Sequence, residues 1–368
     1  MKEIASPGIR SVLIPVLEFT RSGGNRVLSR LASEWKKRGV QVEFLVEWTD
    51  SKPYFPTTAG LSFCGSGRKG LDIGLSLLRR LHILLRILNL ARGIRSKKPA
   101  SDLIFASYSF TAISCFLAGC RSNTIYYIQG YDPEIFATKR TLSAWIAASL
   151  ARLSYTLCRK QIVNSEHYLS YPAVTARVAI PPGIDLDIFR PKDKPGEISS
   201  EIVRVGIVGR AERHKFRPAL AAYRELLKTG VRTKLLVAYD LIPRQYLEET
   251  GEYEVITPGD DIELASFYRK CDVFLALSDF PQGAFYPPLE ALASGTSLIS
   301  NRFFLVSSQN SWIVDSQTHI DELFLSLCRD APQRIEKATT GIRDVRKIAW
   351  PAVAKDFLAE AERLLGKG

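Results

Sequence analysis

Two Rossmann-like α/β domains, each a parallel sheet flanked by helices, are what this 368-residue sequence predicts. Three observations carry that prediction. The chain is too long for one average domain, and its 46% hydrophobic content supplies two cores. A strand–turn–helix–strand order starts at Ser11 and starts again at Val203. Between the two lies a polar stretch with Pro and Gly, which reads as a linker. The expected division is residues 1–191, a linker 192–202, a second domain 203–349, and a last helix from 350 to 368. Two such halves suggest domains facing each other across a cleft.

The first half opens with a buried strand, Ser11 to Leu17, and a polar turn, Arg21-Ser22-Gly23-Gly24-Asn25. Val27, Leu28, Leu31, Ala32 and Trp35 then recur at helical spacing up to a C-terminal cap at Gly39. Val40 to Val46 is the second strand. Gly23-Gly24 has two readings that both stand: backbone N–H groups approaching a phosphate or sugar, or an ordinary flexible turn. Gly65 to Gly70 matches GxGxxG literally, but it lies outside the first strand–turn–helix unit, and Asp72 is too close to serve a ribose. A loop is the better reading there.

Charge is unevenly placed. The chain is +12 overall; residues 1–190 are +13 and residues 191–368 are −1. Residues 51–100 alone carry 10 basic and 1 acidic side chain. An anionic partner for the N-terminal half follows. Leu71 to Arg95 reads as a helix with an apolar stripe through Leu77, Leu81, Leu84, Leu88 and Ala91, with Arg79, Arg80 and Arg86 between. Arginine interrupts it too often for a bilayer span. It is either an interfacial helix on anionic lipid through residues 68–98 or a helix packed on the sheet with a solvated basic rim. Leu and Ile rather than aromatics interleave the cations, which argues against nucleic acid. Six Cys without a CxxC pair, and four His away from them at ligand spacing, argue against zinc. Free thiols and a first apolar run of strand length lead to a cytoplasmic expectation.

Thr124 to Ile128 is a strand that runs into Gln129, and Ala179 to Pro191 closes the first half. Val203 to Gly209 begins the second, followed by Arg210, Arg213, His214, Lys215 and Arg217. The buried strand Val273 to Leu277 turns through Gly and Pro into a helix that ends at Gly295, and Glu290 reads as an acid in the first turn of that helix. A parallel strand, a tight loop and a helix start is where open α/β sheets bind phosphorylated ligands.

Four stretches together resemble the GT-B-fold retaining glycosyltransferases, and within them glycosyltransferase family 4. They are Gly23-Gly24 with its helix to Val40, Ile180 to Pro191, Val208-Gly209-Arg210 with Lys215, and Cys271 to Ser278 continuing through Glu290 to Gly295. Tyr286 to Glu290 and Tyr126 to Gln129 most resemble members that transfer rhamnose or related sugars to bacterial surface glycans. The sequence departs from the family twice. Gln282 stands where the first of two glutamates is usual, and Gln129 where a His is usual.

The resemblance implies a last helix crossing back to the first domain and sugar transfer from a nucleoside diphosphate sugar to a glycan or lipid-linked glycan. It implies that Arg210 and Lys215 stabilise the leaving diphosphate. The backbone of Gly283, Ala284, Phe285 and Tyr286 adds helix-terminal dipoles, with Gly209 and Gly23-Gly24 closing on the same group. Glu290 accepts from the ribose hydroxyls. Gln282 touches the donor sugar and Gln129 sits under it, each able to hydrogen-bond but not to carry charge. Asp185-Leu186-Asp187 is read as an interdomain turn rather than a metal motif. No cofactor or metal is expected. The rival expectation is a transferase fold that binds sugar nucleotides without turnover, supported by the two glutamines.

Overall fold

The computed structural model describes residues 8–48, 50–65, 76–137, 141–198, 201–209, 213–278, 285–315 and 318–367; the side chains of 76–82, 135, 137 and 213–215 lie outside that description. The chain divides into two compact units, residues 1–183 with 350–368, and residues 184–349.

The first unit runs β1 (Ser11–Val16), α1 (Gly23–Lys37), β2 (Gln41–Val46), β3 (Gly60–Phe63), α2 (Ser76–Lys97), β4 (Leu103–Ala106), α3 (Ser109–Leu117), β5 (Thr124–Ile128), α4 (Asp132–Ala137), α5 (Leu142–Leu157) and β6 (Gln161–Val163). Its sheet has the order β3-β2-β1-β4-β5-β6, with every pair parallel. The strands β4 and β5 are buried at every residue. That is why they read as continuous apolar runs rather than alternating ones: helices cover both faces of a parallel sheet.

The second unit runs β7 (Val203–Val208), α6 (Arg213–Leu227), β8 (Thr233–Ala238), α7 (Arg244–Leu247), β9 (Tyr253–Ile256), α8 (Asp261–Lys270), β10 (Val273–Ala276), α9 (Tyr286–Ala293), β11 (Ser297–Ser300), β12 (Trp312–Ile313), α10 (Ile320–Arg329) and α11 (Ala331–Val345). Its order, β12-β11-β10-β7-β8-β9, is also parallel throughout. In chain order this is the same topology used twice. In each unit the first strand pairs with the second on one side and the fourth on the other, which makes a switch point.

The last helix, α12 (Trp350–Leu365), belongs to the first unit. Trp35 of α1 donates its indole N–H to the Ala354 carbonyl at 2.9 Å, and Phe357 meets Trp35, Phe105 and Tyr127 edge-on. The C-terminus thus completes the core that the N-terminus starts.

Two sequence expectations change. The stretch 192–198, which composition marks as linker, is bound to the second unit. Lys192 N donates to Ser294 O, Gly196 N donates to Gly295 O, and the Arg334 guanidinium donates to Gly196 O at 3.0 Å. Polar composition marked an irregular path, not a loose one. In α2, Arg86 does not rim an exposed face. Its guanidinium donates to Glu47 Oε2 at 2.7 Å and to the Leu17 carbonyl at 2.9 Å, over the Trp48 ring. The buried stripe of α2 is Ile87, Leu90, Ala91 and Ile94, while Leu84, Leu85 and Leu88 face outward. Helix α2 is apolar on two sides, so a packed face and an exposed apolar face are both present. The side chains of Leu77, Leu81, Arg79 and Arg80, and the whole of 66–75, lie outside the described residues. Among the described residues no helix is long and apolar enough to cross a membrane.

Candidate active site

In the first unit the site is built from the ends of β1, β5 and β6. Helix α1 starts at Gly23, where the Ser22 hydroxyl caps it by accepting from Asn25 N at 3.3 Å. The amide of Asn25 donates in turn to Thr20 Oγ1 at 2.8 Å, tying the turn to itself. The first turn carries no acid, so its unpaired N–H groups keep their partial positive charge. Gln129, the residue after β5, lies against this turn, and its Nε2 reaches the Gly24 carbonyl at 3.4 Å. A Cβ on Gly24 would sit 3.3 Å from the same nitrogen. A side chain there would press on the movable end of the glutamine. Two residues picked separately from the sequence therefore meet.

Two neighbouring groups add to this site, and one of them holds Gln129 directly. Asn164, following β6, donates from Nδ2 to the Gln129 carbonyl at 2.8 Å, and its Oδ1 is buried with no hydrogen-bond partner among the described residues. The sequence did show a polar end to that strand, but not what it would face. Three residues beyond Gln129, the buried Asp132 carboxylate accepts from the backbone N–H of Ser109 at 3.1 Å and from the Ser109 hydroxyl. Burial pushes this carboxyl up to about 6, with the two Ser109 donors pulling the other way. Around it the rings of Tyr126, Tyr155 and Tyr131 form a continuous stack.

In the second unit the site is built from the ends of β7 and β10 and the start of α9. Gly209 follows β7, and a Cβ there would come 2.4 Å from the Tyr239 carbonyl oxygen. This glycine is demanded by a backbone crossing at the end of β8. Ser278 N is held by Asn301 Oδ1 at 2.8 Å, which anchors the start of the loop. Arg210, Gln282, Gly283 and Ala284 lie outside the described residues, as does the Lys215 side chain. The backbone puts Lys215 third in α6, behind Arg213 and His214. Basic residues in the first turn of a helix oppose the dipole unless an anion sits there.

Helix α9 corrects the reading of Glu290. The helix starts at Tyr286, so Glu290 is its fifth residue and lies past the first turn, which has no acid. It is 2% exposed and accepts from the Tyr268 hydroxyl of α8 at 2.8 Å. Its burial is balanced by that bond rather than by the helix terminus. Tyr268 itself is fixed by edge contacts with Phe189, Phe267 and Phe274. Phe285 is the N-cap, with no side-chain cap bond, and packs on Phe303. Pro287 and Pro288 remove two of the N–H groups that a helix start usually offers, leaving Tyr286 and Leu289 as donors in the first turn. Among the described residues no group of three His, Cys, Asp or Glu side chains is arranged to hold a metal ion.

Comparison with known proteins bears on the fold. Residues 21–188 match the family model Glycosyltransferase Family 4. No curated protein matches the chain. Among solved structures, a sucrose-phosphate synthase from Thermosynechococcus elongatus is 16% identical, with 98% of this chain and 100% of that one covered and a TM-score of 0.71. A glycosyltransferase from Rickettsia africae is 15% identical over 97% and 99% of the two chains, at a TM-score of 0.68. The Anabaena protein HepE, bound to UDP and glucose, is 12% identical over 95% and 98%, at 0.67. The chain has the GT-B fold, and the resemblance to family 4 read from its motifs holds over residues 21–188.

Proposed function

We propose that this protein is a glycosyltransferase that moves a sugar from a nucleoside diphosphate sugar to a glycan or lipid-linked glycan, with retention of anomeric configuration and without a metal. The observation that carries the reading is the match of residues 21–188 to the family, together with glycine turns at the switch-point edge of each parallel sheet. In this reading Glu290 accepts from the ribose diol while Tyr268 holds its carboxylate in place. Arg210 and Lys215 meet the diphosphate, supported by the cluster of basic residues opening α6. The N–H groups of Gly23 and Gly24, and those of Gly283, Ala284, Phe285 and Tyr286, add fixed dipoles. Gln129 and Gln282 hydrogen-bond the donor sugar. Retention, the missing metal and transfer of rhamnose or a related sugar in surface-glycan synthesis rest on the motif resemblance. Peripheral association with an anionic membrane is supported by the +9 balance of residues 51–100.

Thermal melting with a panel of UDP-, GDP-, ADP- and dTDP-sugars tests this. UDP-sugars come first because HepE binds UDP and glucose. A donor at about 100 times its Kd should add about 2.7 kcal/mol of stability. No shift with any donor would overturn the reading. The second reading, a sugar-nucleotide binder without turnover, is favoured by the amide of Gln129 being held on Gly24. A melting shift with no donor hydrolysis and no transfer to any acceptor would select it.

A further inference from the structure

Helix α5 is apolar on its outer side as well as its inner one. Its inward side is small: Ala144, Ala148 and Ala151 are buried, with Tyr155 at the end. Leu150 and Leu157 pack against the core, but four other large apolar side chains point away from it. Leu142 and Trp145 are 65% and 66% exposed, and Ile146 and Leu153 are also on the surface. A surface helix normally does the reverse, because burying a Leu or Trp stabilises the fold far more than burying an Ala. Helix α3 packs against both α5 and α2, so the three lie side by side over one face of the sheet. The exposed Leu84, Leu85 and Leu88 of α2 and Leu117 of α3 continue the same outward apolar surface. A contiguous patch of this kind marks an interaction surface.

Its charge identifies the occupant. Helices α2, α3 and α5 contain no Asp or Glu. Asp102 is the only acid from Ile73 to Tyr131, and it is engaged elsewhere, with Ser11, the Arg10 N–H and Lys367. Arg92, Arg95, Arg121 and Arg152 are exposed around the apolar side chains, and none has a carboxylate partner among the described residues. Apolar side chains flanked by arginines, on helices with no carboxylate of their own, suit acyl chains under anionic head groups. A second copy of the same face would bring arginine against arginine.

We infer that the outer face of α2, α3 and α5 inserts shallowly into an anionic bilayer, with Trp145 as its deepest-seated aromatic anchor. This deepens the membrane association proposed above. It transfers the contact from residues 68–98 alone to a face of three helices, and it removes Arg86 from the contact because that side chain is bound internally.

The test is flotation of the full chain with vesicles of phosphatidylcholine containing about 30% phosphatidylglycerol, against pure phosphatidylcholine, without donor or acceptor. Wild type should float with the anionic vesicles and be released by high salt. Trp145→Glu should weaken partitioning about tenfold or more, and Arg152→Glu by a smaller factor, with unchanged melting temperatures. Brominated lipid should quench wild-type tryptophan emission, and Trp145→Phe should remove that quenching while still floating. Wild type left unbound overturns the proposal. So do binding and quenching that Trp145→Glu and Trp145→Phe leave unaltered, or a dimer that Trp145→Glu dissociates. Donor binding is measured separately by melting without vesicles, so that either result can fail alone.

Discussion

The two units share one strand order and differ in what they hold at its edge. In the second unit the described site residues are held by backbone and buried side chains: Gly209 under the Tyr239 carbonyl, Ser278 on Asn301, Glu290 on Tyr268. In the first, Gln129 rests on Gly24 through one long contact and is held mainly by its own backbone through Asn164. The electrostatics also divide, with +13 in residues 1–190 and −1 in residues 191–368. The difference teaches that topology sets where a site lies and the side chains there set its character.

The largest way to break the comparison is at its two glycines. Gly209→Ala must push apart two strands, since its Cβ would lie 2.4 Å from a backbone oxygen. It should cost about 3 kcal/mol, read in denaturant unfolding. Gly24→Ala meets the movable end of Gln129 instead, so stability should fall by less than about 1 kcal/mol while donor or acceptor binding changes. Equal losses at the two positions would erase the contrast.

The next effect is pH dependence within the first unit. Asp132 is raised by burial to about 6, from an ordinary value of 3.8. A raised acid favours the folded state when protonated, so its stabilising contribution is complete below the unfolded value near 4 and is lost as pH rises through about 6. Between pH 7 and pH 4 wild type should therefore gain about 2–3 kcal/mol relative to Asp132→Asn, measured by unfolding at each pH. Asp102 has the opposite sign. The Lys367 ammonium chiefly holds it down at about 2, so it contributes above pH 4 and loses that contribution as pH falls through about 2. Its exposure to solvent limits the contribution to about 0.5–1 kcal/mol. Parallel pH profiles for Asp132→Asn and Asp102→Asn would contradict this assignment.

A smaller effect sharpens the second unit. Tyr268→Phe leaves the buried Glu290 carboxylate without that donor and should cost about 1–2 kcal/mol of stability. If Glu290 meets the ribose, the same change should also weaken nucleoside diphosphate binding, seen as a reduced melting shift. Loss of stability with unaltered affinity would leave Tyr268 as packing alone.

Much of the fold was legible because its signals are local. Thr124–Ile128 is a strand over the very residues that its apolar run marks. The strands β3 and β12 and the helices α3 and α11 were not seen. β3 is a short edge strand whose residues stay largely exposed, and α3 is apolar nearly all round, so neither shows its period. Of the site, Gly24 and Gln129 were legible as separate turn and strand-end residues, as was Glu290. Asn164, Tyr268 and Asn301 were not, because each acts through a partner distant in the chain.

The sequence by itself determined two α/β halves, the strands that carry the loops and the family those loops resemble, because periodicity and turn chemistry act between near neighbours. Tertiary structure decided which residues meet. It put Gln129 on Gly24, turned Glu290 inward to Tyr268, bound Arg86 to Glu47 and left Trp145 outside. Those outcomes depend on how strands and helices far apart in the chain pack together, and burial and hydrogen bonding at such contacts have no signature in local sequence.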